Sequence, residues 1–446
     1  HDFCFVHVAD LHLDTPFRGL SAAAPEVAGV LRDASLAAFD AVVDLALERR
    51  AAFLLVAGDV YDGPERGLRA QLRFRDGLAR LSAAGVASFV VHGNHDPLET
   101  GWSAIGAWPA ATTVFPSSSV EVVPVLRAGE VIATVQGISF ATRSTTENLA
   151  LRLRRPDRPG RGRLEATAGD GAGRCSPVHV GLLHCNVEGS PGEHADYSPC
   201  TLSDLRATKL DYLALGHVHQ RSVLAEGAGP GDPWVVYPGA LQAHSWRAGE
   251  RGAKGAYVVH VEGGAISHLE FVPCDQVRFD EVACRLEGLS ELGEVADLLS
   301  RFADEASRRA EGRALVLRAE LCGAGPLHCE LARPGVRDDL LSHLRDEARG
   351  RPSLCWWDSL RDTSTAPRDL ALLAGRGDFA ADLLEVGRAA LEDAALGEAL
   401  AGHALSGLPR QLAQRVGELL GEPSRRAELL GRAAERALDE LVLDPS

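Results

Sequence analysis

Five short apolar runs in the first half of the chain end on the same kinds of residue. "FCFVHVA" (3–9) runs into Asp10, Leu11 and His12, and "AFLLVA" (52–57) into Gly58 and Asp59. "ASFVVH" (87–92) leads to Gly93, Asn94, His95 and Asp96. "VHVGLL" (178–183) leads to His184, and "DYLAL" (211–215) to Gly216, His217, Val218 and His219. Runs this short, rich in Val, Leu and Phe, predict buried strands. Helical stretches separate several of them. "SLAAFDAVVDLALERR" (35–50) spaces Leu36, Phe39, Val43 and Leu47 along one face. "LRAQLRFRDGLARLSAAG" (68–85) does the same with Leu68, Leu72, Leu78 and Leu81, and stops at Gly85. Strands alternating with helices predict a layered α/β architecture.

In such folds functional groups gather beyond the carboxyl ends of the strands. Here those ends carry Asp, Asn and His, and no Lys, Arg or Glu. Imidazole and carboxylate together suit Mn, Fe or Zn, and the lack of Cys in the set argues against a structural zinc. Gly58, Gly93 and Gly216 are expected to turn the backbone sharply and bring the ligands into one pocket. Taken singly, each piece has a plain structural explanation. Asp10 could cap a turn, Gly-Asp is a turn signal, Asn-His-Asp could form an Asx turn, and a lone His184 could be a satisfied core histidine. Five such ends in one order leave those explanations little room.

Composition narrows the partners. The 446-residue chain carries a formal charge of −16, which argues against a tight, unaided DNA binder, since phosphate contacts need a basic surface. It does not exclude a site that meets phosphate through cations. Length predicts two or three domains. No apolar run approaches the roughly 18 residues of a membrane span, and "HDFCFVHVADLHL" lacks a basic stretch and a small-residue cleavage site, so a cytoplasmic, non-membrane protein is expected. Nine cysteines without a CxxC pair predict free thiols in a reducing compartment.

The ordered set D-x-H, GD, GNHD, a lone His after a strand, and GHxH resembles the calcineurin-like metallophosphoesterases. "HVADLHLDTPFRGL" (7–20), "GLLHCNVEG" (181–189), "YSPCTLSDLRATKLDYLALGHVHQRSVL" (197–224) and "VYPGALQAHSW" (236–246) extend the resemblance to the branch of SbcD-type and YhaO-like DNA repair exonucleases. It covers about residues 3–273. It implies a four-layer αββα sandwich and a site for two divalent ions, Mn²⁺ first and Fe or Zn as alternatives. One ion would take Asp10, His12, Asp59 and His219, and the other Asp59, Asn94, His184 and His217, with Asp59 bridging. His95 would bind no metal but act on the scissile phosphate, with Asp96 orienting it. Two cations about 3.5–4 Å apart lower the pKa of water, so the implied reaction is phosphodiester hydrolysis. The resemblance makes DNA the substrate; phosphoesterase action on small nucleotides, or an ATPase-associated scaffold with weak hydrolysis, are the alternatives. Family members commonly carry a His in the loop after "GD", where this chain reads "VYDGPERG" (60–67) with Asp62 near that place.

Three further regions complete the expectation of a nuclease domain (1–274), a capping domain (275–365) and a helical tail (366–446). "LRLRRPDRPGRGR" (151–163) holds Arg152, Arg154, Arg155, Arg158, Arg161 and Arg163, either a solvated insertion or a phosphate-gripping arm. Residues 275–360 return to strand–helix alternation with no ligand cluster, and correspond in position to a small α/β cap; Trp356 and Trp357 are expected in a core strand rather than stacked on a base. The tail shows apolar stripes at Leu412, Val416, Leu419 and Leu420, and at Leu429, Leu430, Ala433 and Ala437. By resemblance such a tail binds an SMC-like ATPase of the SbcC or YhaN type, the other option being docking on its own cap; a homodimer is left open.

Overall fold

The structure is a computed structural model that describes residues 2–15, 17, 20, 25–63, 67–99, 103–156, 176–190, 197–367, 377 and 379–443. In the first sheet, β1 (Phe3–Val8), β2 (Phe53–Ala57), β3 (Ala87–Val91) and β4 (Thr112–Val114) run parallel. Antiparallel β11 (Gly255–Glu262) and β12 (Ala265–Pro273) extend it beyond β1. In the second sheet β6 (Glu130–Gly137), β7 (Val178–His184), β8 (Tyr212–Gly216) and β10 (Trp234–Tyr237) are parallel, edged by antiparallel β5 (Glu121–Arg127) and β9 (Ser222–Ala225).

The sheets stack face to face. Phe5, Phe53, Leu55 and Phe89 from one meet Val135, Val180, Leu182 and Tyr212 from the other. Alternate residues of the first sheet, among them Val6, Leu54, Val56 and Val90, point outward onto Leu36, Phe39 and Val43 of α1 (Pro25–Glu48) and Phe74, Leu78 and Leu81 of α2 (Leu68–Ala83). The outer face of the second sheet lies under Leu149, Leu153, Leu205 and Leu210, from a 3₁₀ turn and the short α3 (Leu202–Ala207). Both faces of each central strand are therefore buried, which is why the strands read as continuous apolar runs instead of alternating ones. Four layers, αββα, result. Since β1, β2 and β3 share one direction, as do β7 and β8, the residues that follow them emerge together at one sheet end.

The chain forms two compact units: residues 1–280, 306–316 and 351–358 in the first, and 281–305, 317–350 and 359–446 in the second. Strands β13 (Val277–Arg285), β14 (Ala314–Ala324) and β15 (Cys355–Thr365) form a three-stranded sheet. Its leading residues belong to the first unit, where Val277, Phe279, Val316 and Trp356 make one apolar cluster. Trp356 and Trp357 are both buried, so neither offers a face to a base. The same segment contains α4 (Leu292–Ala310), α5 (His328–Leu331) and α6 (Val336–Ala348).

In the second unit, α7 (Phe379–Glu392), α8 (Ala394–Ser406), α9 (Arg410–Leu420) and α10 (Pro423–Leu443) pack on one another. Asp393 caps α8 by accepting from Ala395 N (2.9 Å), and Arg426 pairs with Glu398 at 3.2 Å. Leu412 and Leu429 of the expected stripes are exposed. Among the described residues no helix is long and apolar enough to cross a membrane.

Candidate metal centre

Each of the five strand ends delivers a polar side chain to one place, and the backbone is bent to do it. Asp10, His12, Asp59 and His217 have φ of 50°, 42°, 48° and 102°, in the left-handed region that side chains rarely adopt. Non-glycine residues held this way cost about 1–3 kcal/mol each and persist where surrounding structure fixes them. Hydrogen bonds fix them here: Asp10 N donates to Gly58 O (3.1 Å), His12 N to Asp59 O (3.0 Å), and His217 N to the Asp10 carboxylate (2.9 Å).

Two of the three glycines act differently from the expectation. Only Gly58 has a positive φ, +88°. Gly93 and Gly216 serve close approach instead of a left-handed turn. A Cβ at Gly93 would stand 2.3 Å from Asp59 Oδ1, and one at Gly216 1.7 Å from Ala57 O.

Among the described residues three groups of potential ligands result, one of them His12, Asp62 and His95, which shares His12 with the first of the two expected clusters. Asp10, His12 and His219 each present a ligand atom within 4.8 Å of one another, and so do Asp59, His184 and His217. His184 Nε2 lies 3.3 Å from Asp59 Oδ2 and 3.0 Å from Asn94 Oδ1, which brings Asn94 to the second cluster. Asp59 Oδ2 is also 3.9 Å from His12 Nε2, so its carboxylate faces both clusters. His184 Nδ1 is 2.9 Å from Ala57 O; it must donate there, so in the neutral ring the Nε2 lone pair points inward. His219 Nδ1 faces Glu250 Oε1 at 3.1 Å with the same consequence. Val218, between the two histidines, is fully buried in the core.

Such a cluster of buried donors is electrostatically incomplete by itself. Burial disfavours a charge on His184, yet the Asp59 and Asp10 carboxylates lift its pKa to about 9. Burial raises the Asp10 pKa. Burial and then the neighbouring His219 hold His12 well below the ordinary histidine range. Against its own burial, Asp59 is kept well below the usual carboxylate range by His184. Carboxylate, amide and imidazole donors, inward-facing lone pairs and the absence of thiolate fit divalent cations.

His95 stands apart. Its side chain is 39% exposed where that of His184 is 0%. Its backbone N donates to Asp59 Oδ1 at 2.9 Å, and its ring Nδ1 meets Asp62 Oδ1 at 2.6 Å. Asp62 is therefore the carboxylate that orients it, not Asp96. Asp96 is turned inward, where it binds the His92 ring (2.9 Å) and accepts from Val60 N (2.9 Å) and Gly93 N (2.9 Å). With Tyr61 N (3.4 Å) four partners already converge on a fully buried Asp96, and a buried carboxylate stays where it is satisfied. Burial lowers the His95 pKa, but the Asp62 hydrogen bond and Asp59 outweigh it and the net shift is upward.

Several site residues were not legible as such. Glu250, buried, also accepts from Ser245 N (3.2 Å) and His244 N. His244 lies beside the first cluster, its ring 5.5 Å from that of His12. Lys254 donates to His219 O (2.9 Å) and Gly249 O. One signal did exist for Lys254: it and Lys209 are the only lysines in an arginine-rich chain, and a compact ammonium fits where a guanidinium does not.

The arginine stretch is only partly described. Arg152 binds Glu147 at 2.7 and 2.8 Å, Arg155 binds Asp211 at 2.8 Å, and Arg154 donates to Leu153 O at 2.6 Å. Arg158, Arg161 and Arg163 lie outside the described residues.

Calcineurin-like phosphoesterase is the family matched by residues 4–221, and the middle domain of metallophosphoesterase YhaO is matched by residues 279–365. The chain is 33% identical over 356 residues to the uncharacterized metallophosphoesterase YhaO of Bacillus subtilis, covering 80% of each. Shorter matches reach the DNA double-strand break repair protein Mre11 of Aeropyrum pernix (34% over 91 residues, 20% of each chain). The Mre11 of Thermoplasma acidophilum matches at 37% over 70 residues, 16% of this chain and 19% of the other. The chain belongs to the calcineurin-like phosphoesterase family, with a YhaO-type middle domain.

Proposed function

We propose that this phosphoesterase is a DNA nuclease that hydrolyses phosphodiesters with two divalent ions, Mn²⁺ foremost. The observation that carries the reading is the convergence of Asp10, His12, Asp59, Asn94, His184, His217 and His219 at one sheet end, with His95 beside them. Asp10, His12, Asp59 and His219 would hold one ion, and Asp59, Asn94, His184 and His217 the other. When bound, such a pair supplies Lewis-acid charge to phosphoryl oxygens and makes water acidic enough to act near neutral pH.

The chain's own residues do the rest. Peptide carbonyl and carboxylate partners hold His184 and His219 with their Nε2 atoms inward. His95, half-exposed and braced by Asp62, is available to a phosphate arriving from solvent. With its pKa raised, it carries a proton at neutral pH more readily than a free imidazole, which suits it to stabilise phosphoryl charge or protonate the leaving oxygen.

The partial likeness to Mre11 proteins supports DNA as substrate. One observation favours the second reading, hydrolysis of small nucleotides: the charge is −16, and Arg152 and Arg155 of the expected phosphate-gripping arm are already paired to carboxylates. We also propose the division into nuclease (1–274), cap (275–365) and tail (366–446), a cytoplasmic location, and docking of an SMC-like ATPase on the tail, where Phe379, Leu391 and Leu412 are exposed.

Incubation with linear DNA and Mn²⁺, beside bis-nitrophenyl phosphate and a nitrophenyl monoester, separates these readings. Cleavage of DNA and diester is expected. Turnover of the monoester alone would overturn the nuclease reading.

A further inference from the structure

The two histidines whose Nε2 atoms face inward are held by different chemistry. His184 Nδ1 donates to a neutral peptide oxygen, Ala57 O, at 2.9 Å. His219 Nδ1 meets a carboxylate, Glu250 Oε1, at 3.1 Å. Glu250 is only 5% exposed, and its other oxygen accepts from two successive backbone amides, His244 and Ser245. The carboxylate is thus fixed from both sides. Lys254 holds the same loop from below, through His219 O and Gly249 O.

Beyond His219 the geometry is specific. Its Nε2 lies 3.2 Å from His12 Nε2. A carboxylate accepts only, so His219 carries a proton on Nδ1, and in the neutral ring Nε2 presents a lone pair. That lone pair needs either the His12 proton or a cation as its mate. An imidazole hydrogen-bonded to a carboxylate is a stronger donor than one bonded to a peptide oxygen. Glu250 adds a negative charge hydrogen-bonded directly behind His219, whereas behind His184 the nearest carboxylate, that of Asp10, stands 3.9 Å from Nδ1 and the hydrogen bond goes to Ala57 O.

We propose that Glu250 is the positioning residue for His219, and that through it the Asp10–His12–His219 cluster becomes the tighter of the two cation sites. This rests on the ligand assignment proposed above. The two sites then fill in order instead of together, the first ion entering beside His219 and the second beside His184. Nothing in the strand-end pattern distinguishes them; the difference arises from a residue 31 positions beyond His219.

The test titrates the metal-free full chain with Mn²⁺ by calorimetry and locates the ions by anomalous diffraction. The wild type is expected to bind two ions with unequal affinity, the tighter beside His12 and His219. In Glu250→Gln, which keeps an accepting oxygen but loses the charge, that ion should weaken about 10–100-fold while the other holds. Glu250→Ala should weaken it further. Equal weakening of both ions, or of neither, overturns the proposal. A readout independent of any variant's folding is the ¹⁵N spectrum of the metal-free wild type: His219 protonated on Nδ1 is expected, and protonation on Nε2 alone overturns it. Should the wild type bind ions in this order yet cleave no diester, the functional reading falls and this one stands.

Discussion

At Gly216, the last residue of β8, an added methyl group would stand 1.7 Å from the carbonyl oxygen of Ala57; at Gly402, inside α8, it would meet nothing within 4 Å. The first glycine sits where two strands deliver ligands, the second on the exposed face of its helix. The contrast extends to the side chains. Around the strand ends Asp10, Asp59 and His184 are all but inaccessible and hydrogen-bonded, whereas Phe379, Leu391 and Leu412 in the tail stand in solvent. One region is specified atom by atom; the other is specified by pattern, and many sequences would satisfy it.

Substitutions can break or sharpen that contrast. The largest effect is expected from Asp59→Ala, since its carboxylate faces both clusters. Diester hydrolysis should vanish and elemental analysis should find both ions lost; retained activity would end the two-ion reading. His95→Ala comes next. It should keep its ions and lose about 10²–10⁴-fold in turnover. Loss of metal along with activity would move His95 among the ligands.

Gly216→Ala should cost about 3 kcal/mol or more, because the clash is with backbone and no rotamer relieves it. It also presses on the carbonyl that orients His184. A denaturant midpoint like that of the wild type would show that β8 has room to move.

His7 supplies a smaller, pH-dependent effect away from the ligands. Burial between the sheets pushes its pKa down to about 3, while its ring meets Tyr212 Oη at 3.0 Å. The unfolded chain binds this proton near pH 6.5 and the folded chain does not. Stability from this group is therefore complete above about pH 6.5 and falls with pH below it, by at most about 1.4 kcal/mol per unit. In chelator, His7→Gln should flatten the fall of the urea midpoint between pH 7.5 and 5; parallel curves for the two proteins would remove His7 as the cause. The smallest effect belongs to the tail: Gly402→Ala should stabilise by at most about 1 kcal/mol, the helix-propensity difference alone. A large destabilisation would reveal packing there as tight as at the strand ends.

The same contrast explains what the sequence disclosed. Parallel strands buried on both faces leave contiguous apolar runs, and their ends are marked by the residue that follows. Asp10, Asp59, Asn94, His184, His217 and His219 were therefore marked as ligand-type residues by adjacency, their division between two ions coming only from the resemblance, while α1 and α2 were legible from their periodicity. Residues acting from outside that adjacency were not. Glu250 reaches His219 from a 3₁₀ turn after β10, and a buried glutamate looks like an exposed one on paper. Adjacency misled once: Asp96 follows His95 directly, but its side chain turns the other way, and Asp62 from the β2 loop takes its place. The role of Gly93 and Gly216 was also misread, because close approach leaves no trace in a single sequence, whereas a turn has a familiar signature.

The inward-facing donors come from both sheets: Asp10, His12, Asp59 and Asn94 follow strands of one, and His184, His217 and His219 belong to strand ends of the other. Any ion held between them is mechanically a rivet through two plates whose remaining contact is mostly greasy and non-directional, the His7–Tyr212 hydrogen bond being an exception. Shear between the plates would be resisted there by coordination bonds of fixed length, and elsewhere mainly by side-chain interlock. Occupancy of the site should then be readable without any substrate, as resistance to heat and proteolysis that grows with the free ion concentration.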